Sequence, residues 1–195
     1  MIMSGGARRL KGYEATMIRM TSARPLAGLL AATILAFVLP GAAAQAQAPA
    51  GSRLAGTFSD WSVYTSQQGG NKVCYAVTQP KVRLPAGLNR DPAYLFVSSR
   101  PAERVRNEIS FVMGFPTRPG QDAEATVDSR KFAIVTKDAN AWIKDPSQEA
   151  TVLAAFRSGS KVIIKSTSAR GSNLTDEYSL SGVSAALQQL ARECP

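Results

Sequence analysis

The residues in this chain that could do chemistry are few. There is no histidine, which excludes a Ser-His-Asp triad and a Cys-His nucleophile pair. The two cysteines, Cys74 and Cys194, are too few to anchor a structural zinc site, which gathers four ligands at short spacing. Two carboxylate pairs stand out, Asp122 with Glu124 and Asp176 with Glu177. Glycoside hydrolysis divides acid and base roles between two carboxyl groups flanking one bond. Residues 176 and 177 are neighbours in a strand-like stretch, so their side chains are expected on opposite faces. Residues 122 and 124 follow a proline-glycine loop and read as solvated loop residues. No glycine-rich phosphate cradle is present, and no serine stands in a nucleophile context. The expectation is therefore a protein with no catalytic residues, no cofactor and no metal. A hydrolase of unusual type, using Ser/Lys or carboxylates, is the enzymatic alternative.

Binding residues are the other kind of candidate. Trp61 and Trp142 could line a cleft, but tryptophan in a short strand reads first as core. Tyr64 and Tyr75 have polar tips and are the better candidates for an exposed aromatic contact. Arg100, Arg104 and Arg106 come nearest to a basic patch. Nucleic-acid binding calls for a denser basic stripe with aromatics interleaved, and none is expected here.

The elements that must position these residues follow from the periodicity. Between residues 58 and 64, Trp61 and Val63 alternate with Asp60, Ser62 and Tyr64, which predicts a first strand with one buried face. Residues 67–71 supply a turn. The next strand, 72–79, carries Val73, Tyr75 and Val77 on one face and Cys74, Ala76 and Thr78 on the other. Residues 81–92 read as a loop. Residues 94–97 are apolar on both faces and predict a central strand. From residue 108 to 115, Ile109, Phe111, Met113 and Phe115 point one way. Residues 125–128 and 131–136 read as a hairpin, and 139–144 as another short strand. Asp145, Pro146 and Gln148 form a helix-start signal, with Gly159 ending that helix in a left-handed conformation. Strands follow over 161–168 and 174–180. Ser181 is expected to cap a last helix from about Gly182 to Glu193, with Val183, Ala186, Leu187 and Leu190 at helical spacing. About eight short strands, a short inserted helix and a C-terminal helix predict a mainly β fold, an antiparallel sandwich or partly open barrel. A parallel sheet would need crossover helices that the chain lacks.

The N-terminus is read separately. Arg8, Arg9, Lys11, Arg19 and Arg24 precede a fourteen-residue uncharged run, 26–39, and then Ala42-Ala43-Ala44. Basic, apolar and small segments in that order predict a secretory signal peptide over residues 1–44. The run is shorter than the ~20 apolar residues of a membrane span, so no stable span is expected after cleavage. Arg8-Arg9 is too far from the run to serve as a twin-arginine signal. Residues 45–56 read as a flexible lead-in and 57–195 as a single β domain. The whole chain has a formal net charge of +9 from 23 basic and 14 acidic residues. Removing five of the basic and one of the acidic residues leaves 18 against 13, a net +5. Export into an oxidising compartment predicts one disulfide, between Cys74 and Cys194.

The segments Phe58-x-x-Trp61-x-Val63 and Cys74-Tyr75-Ala76-Val77-Thr78-Gln79 are followed near the end by Leu180, Gly182, Ala185, Ala186, Leu187 and Cys194. Over about residues 55–195 this chain resembles the invasion-associated locus B family. The resemblance implies an exported envelope protein of a Gram-negative bacterium, periplasmic or secreted. It also implies a link to host-cell interaction, since the family is named for a part in host-cell entry. It carries no active site to transfer. The expectation is a non-enzymatic protein that binds a protein or a cell-envelope component. A ligand-free structural or stress protein of the envelope is the third reading.

Overall fold

The computed structural model describes residues 51–195. The expected leader, 1–44, and the first part of the lead-in, 45–50, lie outside the described residues. Eleven strands form one antiparallel sheet: β1 (Arg53–Phe58), β2 (Trp61–Gln68), β3 (Asn71–Thr78), β4 (Val82–Leu84), β5 (Tyr94–Arg100), β6 (Val105–Val112), β7 (Ala123–Val127), β8 (Arg130–Lys137), β9 (Asn140–Ile143), β10 (Lys161–Thr167) and β11 (Asn173–Ser179). Two helices complete it, α1 (Glu149–Ser158) and α2 (Val183–Glu193).

The spatial order is β1-β2-β3-β5-β6-β9-β8-β7-β10-β11-β4. That order forces the sheet to roll. β3 and β4 stand eight strand spacings apart in it, which would be ~38 Å in a flat sheet at about 4.8 Å per spacing. Only residues 79–81 join them, and four Cα steps reach at most ~14 Å. The far edge must therefore curl back beside β3, giving a partly open barrel. Hydrogen bonds close the seam. The Lys81 N–H donates to the Glu177 carbonyl at 2.7 Å, and the Asp60 N–H to the Ser181 carbonyl at 3.2 Å. The Trp61 indole donates to the Ser179 carbonyl at 3.1 Å. Lys81 also pairs with Asp60. That ammonium, helped by the Ser179 hydroxyl, holds the Asp60 carboxyl below its usual range.

The inward faces of the strands make the core, with Trp61, Val63, Leu95, Val97, Ile109, Phe111, Ile134 and Ile164 all buried. The helices plug it. α1 inserts Val152, Leu153 and Phe156, and α2 inserts Val183, Ala186, Leu187 and Leu190. The end of α2 is tied to β3 by a bond between Cys74 and Cys194, whose Cα atoms are 6.1 Å apart.

Several local expectations are corrected. Eleven strands stand where about eight are expected, and two of the additional ones are β1 and β4. Residues 53–56, read as lead-in, belong to β1, because pairing along β2 satisfies their backbone. Ser59 takes φ of +50° and turns the chain, so of the stretch expected as one strand over 58–64, Phe58 ends β1, residues 59–60 turn, and Trp61–Tyr64 lie in β2 as expected. Gly159 is extended (φ −88°, ψ 169°), not left-handed. A Cβ there would lie 2.7 Å from Val127 Cγ1, so close packing is what requires glycine. Ser181 does not cap α2. Gly182 holds that position at φ +89°, and a Cβ on it would lie 2.0 Å from the Phe58 carbonyl oxygen. Glycine there serves both the turn and the approach of α2 to the β1–β2 corner.

Candidate binding face

A strand pointing alternate side chains inward leaves the others on the outer face. In the half of the sheet formed by β2, β3, β5, β6 and β9, that outer face is aromatic. Tyr64 on β2 sits directly opposite Tyr75 on β3, their rings stacked at 5.5 Å. Tyr75 meets Phe96 of β5 edge-on at 5.7 Å, and Phe96 meets Tyr94 at 5.9 Å. Trp142 of β9 lies opposite Ser110 of β6 and Val135 of β8. Tyr64, Tyr94, Phe96 and Trp142 are all half-buried, and Val135 is exposed. Cross-strand aromatic pairs stabilise a sheet by themselves. Here the rings continue across β2, β3 and β5, with Trp142 farther along on β9. The other half of the sheet shows the contrast. There the outer face carries cross-strand ion pairs, Lys131 with Glu124 and Lys161 with Glu177.

Tyr75 differs from its neighbours. It is only 7% exposed, and its hydroxyl donates to Ser52 Oγ at 2.9 Å. Burial pushes its phenol pKa up. It lies between Tyr64 and Phe96 on the same face, and the more accessible ring of the stacked pair is Tyr64. The three arginines do not act as one patch. Arg100 is held by Glu108 at 2.8 Å and Glu103 at 2.7 Å, which raise its pKa. Arg104 follows a short 3-10 turn (Pro101–Glu103) in a left-handed conformation, and both it and Arg106 are exposed.

Residues weighed for chemistry are scattered. Asp122 pairs with Lys144 and Glu124 with Lys131. Asp176 points inward, 3% exposed, while Glu177 is half-buried on the outer face. No cluster of three metal-ligating side chains occurs among the described residues. Trp61 is wholly buried, whereas Trp142 belongs to the outer face, against its reading as core. Tyr94 and Phe96 also escaped sequence reasoning as surface candidates. The signal was there in a strand apolar on both faces, but it reads equally well as a strand covered on both sides.

Asp176 itself is a feature that the adjacency of two acids conceals. Its carboxylate accepts from Arg83 Nε at 3.3 and 3.4 Å and from Arg90 Nη1 at 3.1 Å. Arg83 also donates to the Asp91 and Met113 carbonyls at 2.8 and 3.0 Å. One inward carboxylate thus fastens β4 and the loop after it to β11.

A rolled antiparallel sheet, plugged by a C-terminal helix and bearing aromatic rings on its outer face, defines a mainly β domain. The family model described as invasion associated locus B (IalB) protein matches residues 61–191, and the chain belongs to that family. Among solved structures, it is similar to the crystal structure of invasion associated protein b from Bartonella henselae. The TM-score is 0.52 at 18% identity, over 70% of this chain and 94% of that one. That likeness concerns the fold. No curated protein matches the chain significantly.

Proposed function

We propose that this protein is exported to the cell envelope, periplasmic or secreted, and acts there without catalysis by binding a protein or an envelope component. The observation that carries the reading is the aromatic outer face formed by Tyr64, Tyr94, Phe96 and Trp142. Membership of the invasion associated locus B family and the leader-like order of residues 1–44 support export. The family's name supports a part in host-cell interaction. No helix among the described residues is long and apolar enough to cross a membrane.

Binding is tested with the tagged protein and envelope extract of its own organism. The double variant Tyr64→Ala/Trp142→Ala should lose the species that the parent captures while keeping the parent's circular-dichroism spectrum. Equal capture by the folded double variant would refute the role of this face. Export is tested by intact mass of protein from the periplasmic fraction, where a mass retaining residues 26–39 would reject cleavage.

A further inference from the structure

Beside the turn between β10 and β11 lies a concavity that none of the aromatic-face residues line. It has a volume of about 470 Å³, within the ~300–1,000 Å³ of small-molecule sites. Three segments wall it: the loop of residues 88–91, the stretch 114–116 after β6, and the turn 168–172 between β10 and β11. These walls are fixed against one another. The Asp91 N–H donates to the Gly114 carbonyl at 2.9 Å and the Ala169 N–H to the Pro116 carbonyl at 2.8 Å. The Ser172 N–H donates to Ser168 Oγ at 3.1 Å. Gly114 has φ +73°, and a Cβ on it would lie 2.2 Å from the Asp91 oxygen. Only glycine lets the two walls approach so closely.

The lining joins apolar and cationic groups. Leu88, Phe115 and Leu174 supply the apolar part, and Arg90 and Arg170 the charge. Behind Arg90, one carboxylate, Asp176, is shared by Arg83 and Arg90. Asp91 also lines the cavity and opposes the cations. Three guanidiniums against two carboxylates leave one positive charge in excess. Part of that charge is hard for water to screen, because the Arg90 side chain is only 7% exposed. The Arg90 contacts to Asp176 and to the Pro85 carbonyl are 3.1 and 3.3 Å. They engage one donor on each of Nη1 and Nη2, two of the five guanidinium N–H groups. Arg170 is exposed at the rim and makes no ion pair among the described residues.

We infer that this cavity binds a single carboxylate carried on an apolar group, with the anion towards Arg90 and Arg170 and the apolar group against Phe115, Leu88 and Leu174. A free organic acid and the C-terminal end of a peptide share that chemistry. The site is separate from the aromatic face and does not depend on the role proposed for it.

The test is an amide-resolved NMR titration of the purified protein. The probes are phenylacetate and a short peptide with a free C-terminal phenylalanine, each beside its neutral amide. Saturable shifts at Gly114, Phe115, Arg170 and Ser172 are expected with at least one acid, and about tenfold weaker binding with its amide. The more tightly held acid identifies the source. Arg170→Gln and Asp91→Asn replace exposed side chains and should leave the fold intact. Arg170→Gln should weaken binding about threefold, and Asp91→Asn should strengthen it. Absence of saturable shifts at these amides, an amide that binds as well as its acid, or an unchanged affinity in Arg170→Gln would each overturn the assignment.

Discussion

Asp176→Asn is the substitution that most sharply tests how the rolled sheet is held. The side chain keeps its shape and loses only its charge. In the native protein the carboxylate is 3% exposed, and the Arg90 side chain 7%. Without it, two guanidiniums face each other with no counter-charge at the joint between β4 and β11. Breaking a buried ion pair from one side costs about 3–5 kcal/mol, because the remaining charge stays buried and unpaired. That is a large share of the roughly 5–15 kcal/mol by which a domain is stable. For a domain of this size it corresponds to a fall in Tm on the order of 10 °C. The comparison is Asp122→Asn. Its pair with Lys144 has both side chains about half exposed (43% and 56%), and exposed pairs contribute roughly 0–1 kcal/mol. Denaturant melts of the two variants and the parent give the answer, with m-values checked for constancy. If Asp176→Asn melted with Asp122→Asn, close to the parent, the triad would be no more than a surface contact and the seam would be held by its backbone bonds alone.

Three further outcomes are expected. Trp61→Ala should destabilise by roughly 3–5 kcal/mol, since the ring is wholly buried and its N–H bonds Ser179 across the seam; a variant that melts like the parent but fails to capture a partner would reverse its assignment as core. Thiol counting on the denatured, unreduced protein should find no free thiol, and Cys194→Ser should cost up to about 5 kcal/mol by chain-entropy reasoning for a 120-residue separation; two free thiols per monomer would refute the bond. Glu149 titrates above its ordinary value because it is partly buried, an effect that the Ile109 N–H opposes and the nearby Glu108 charge reinforces. A raised acid pKa penalises the native state once the group ionises, so stability contributed by this group falls as pH rises from 4.5 through the folded value. Glu149→Gln should therefore melt higher than the parent at neutral pH, with the difference vanishing below pH 4.5; a gain that persists unchanged in acid would assign it to something other than ionisation.

How much of this was legible in the sequence depends on the range of the interaction that decides each feature. Strands β2, β3 and β6 follow from period-two alternation, β5 from a short apolar run, β8 from its hairpin with β7, and α2 from the spacing of Val183, Ala186, Leu187 and Leu190, because those patterns record local geometry. β4 does not, since Val82-Arg83-Leu84 is too short to show a period and becomes a strand only by pairing with Thr175, Asp176 and Glu177. The same distance hides the Asp176 triad. Adjacent acids at 176 and 177 are visible, but the cations that recruit one of them lie 93 and 86 positions away. The binding face marks a different limit. Period two separates Tyr94 and Phe96 from Leu95 and Val97, yet both sets are apolar, and alternation alone cannot say which set is covered. The helices decide it. α2 packs against β1, β2 and β3 and contributes to the core on the side where Leu95 and Val97 are buried, which leaves the rings of Tyr94 and Phe96 facing outward. An aromatic on the outer face of a central strand, with no helix packed over it among the described residues, is the kind of residue whose role only the folded sheet reveals, and it is why the proposed contact rests on Tyr64, Tyr94, Phe96 and Trp142 together and not on any one of them.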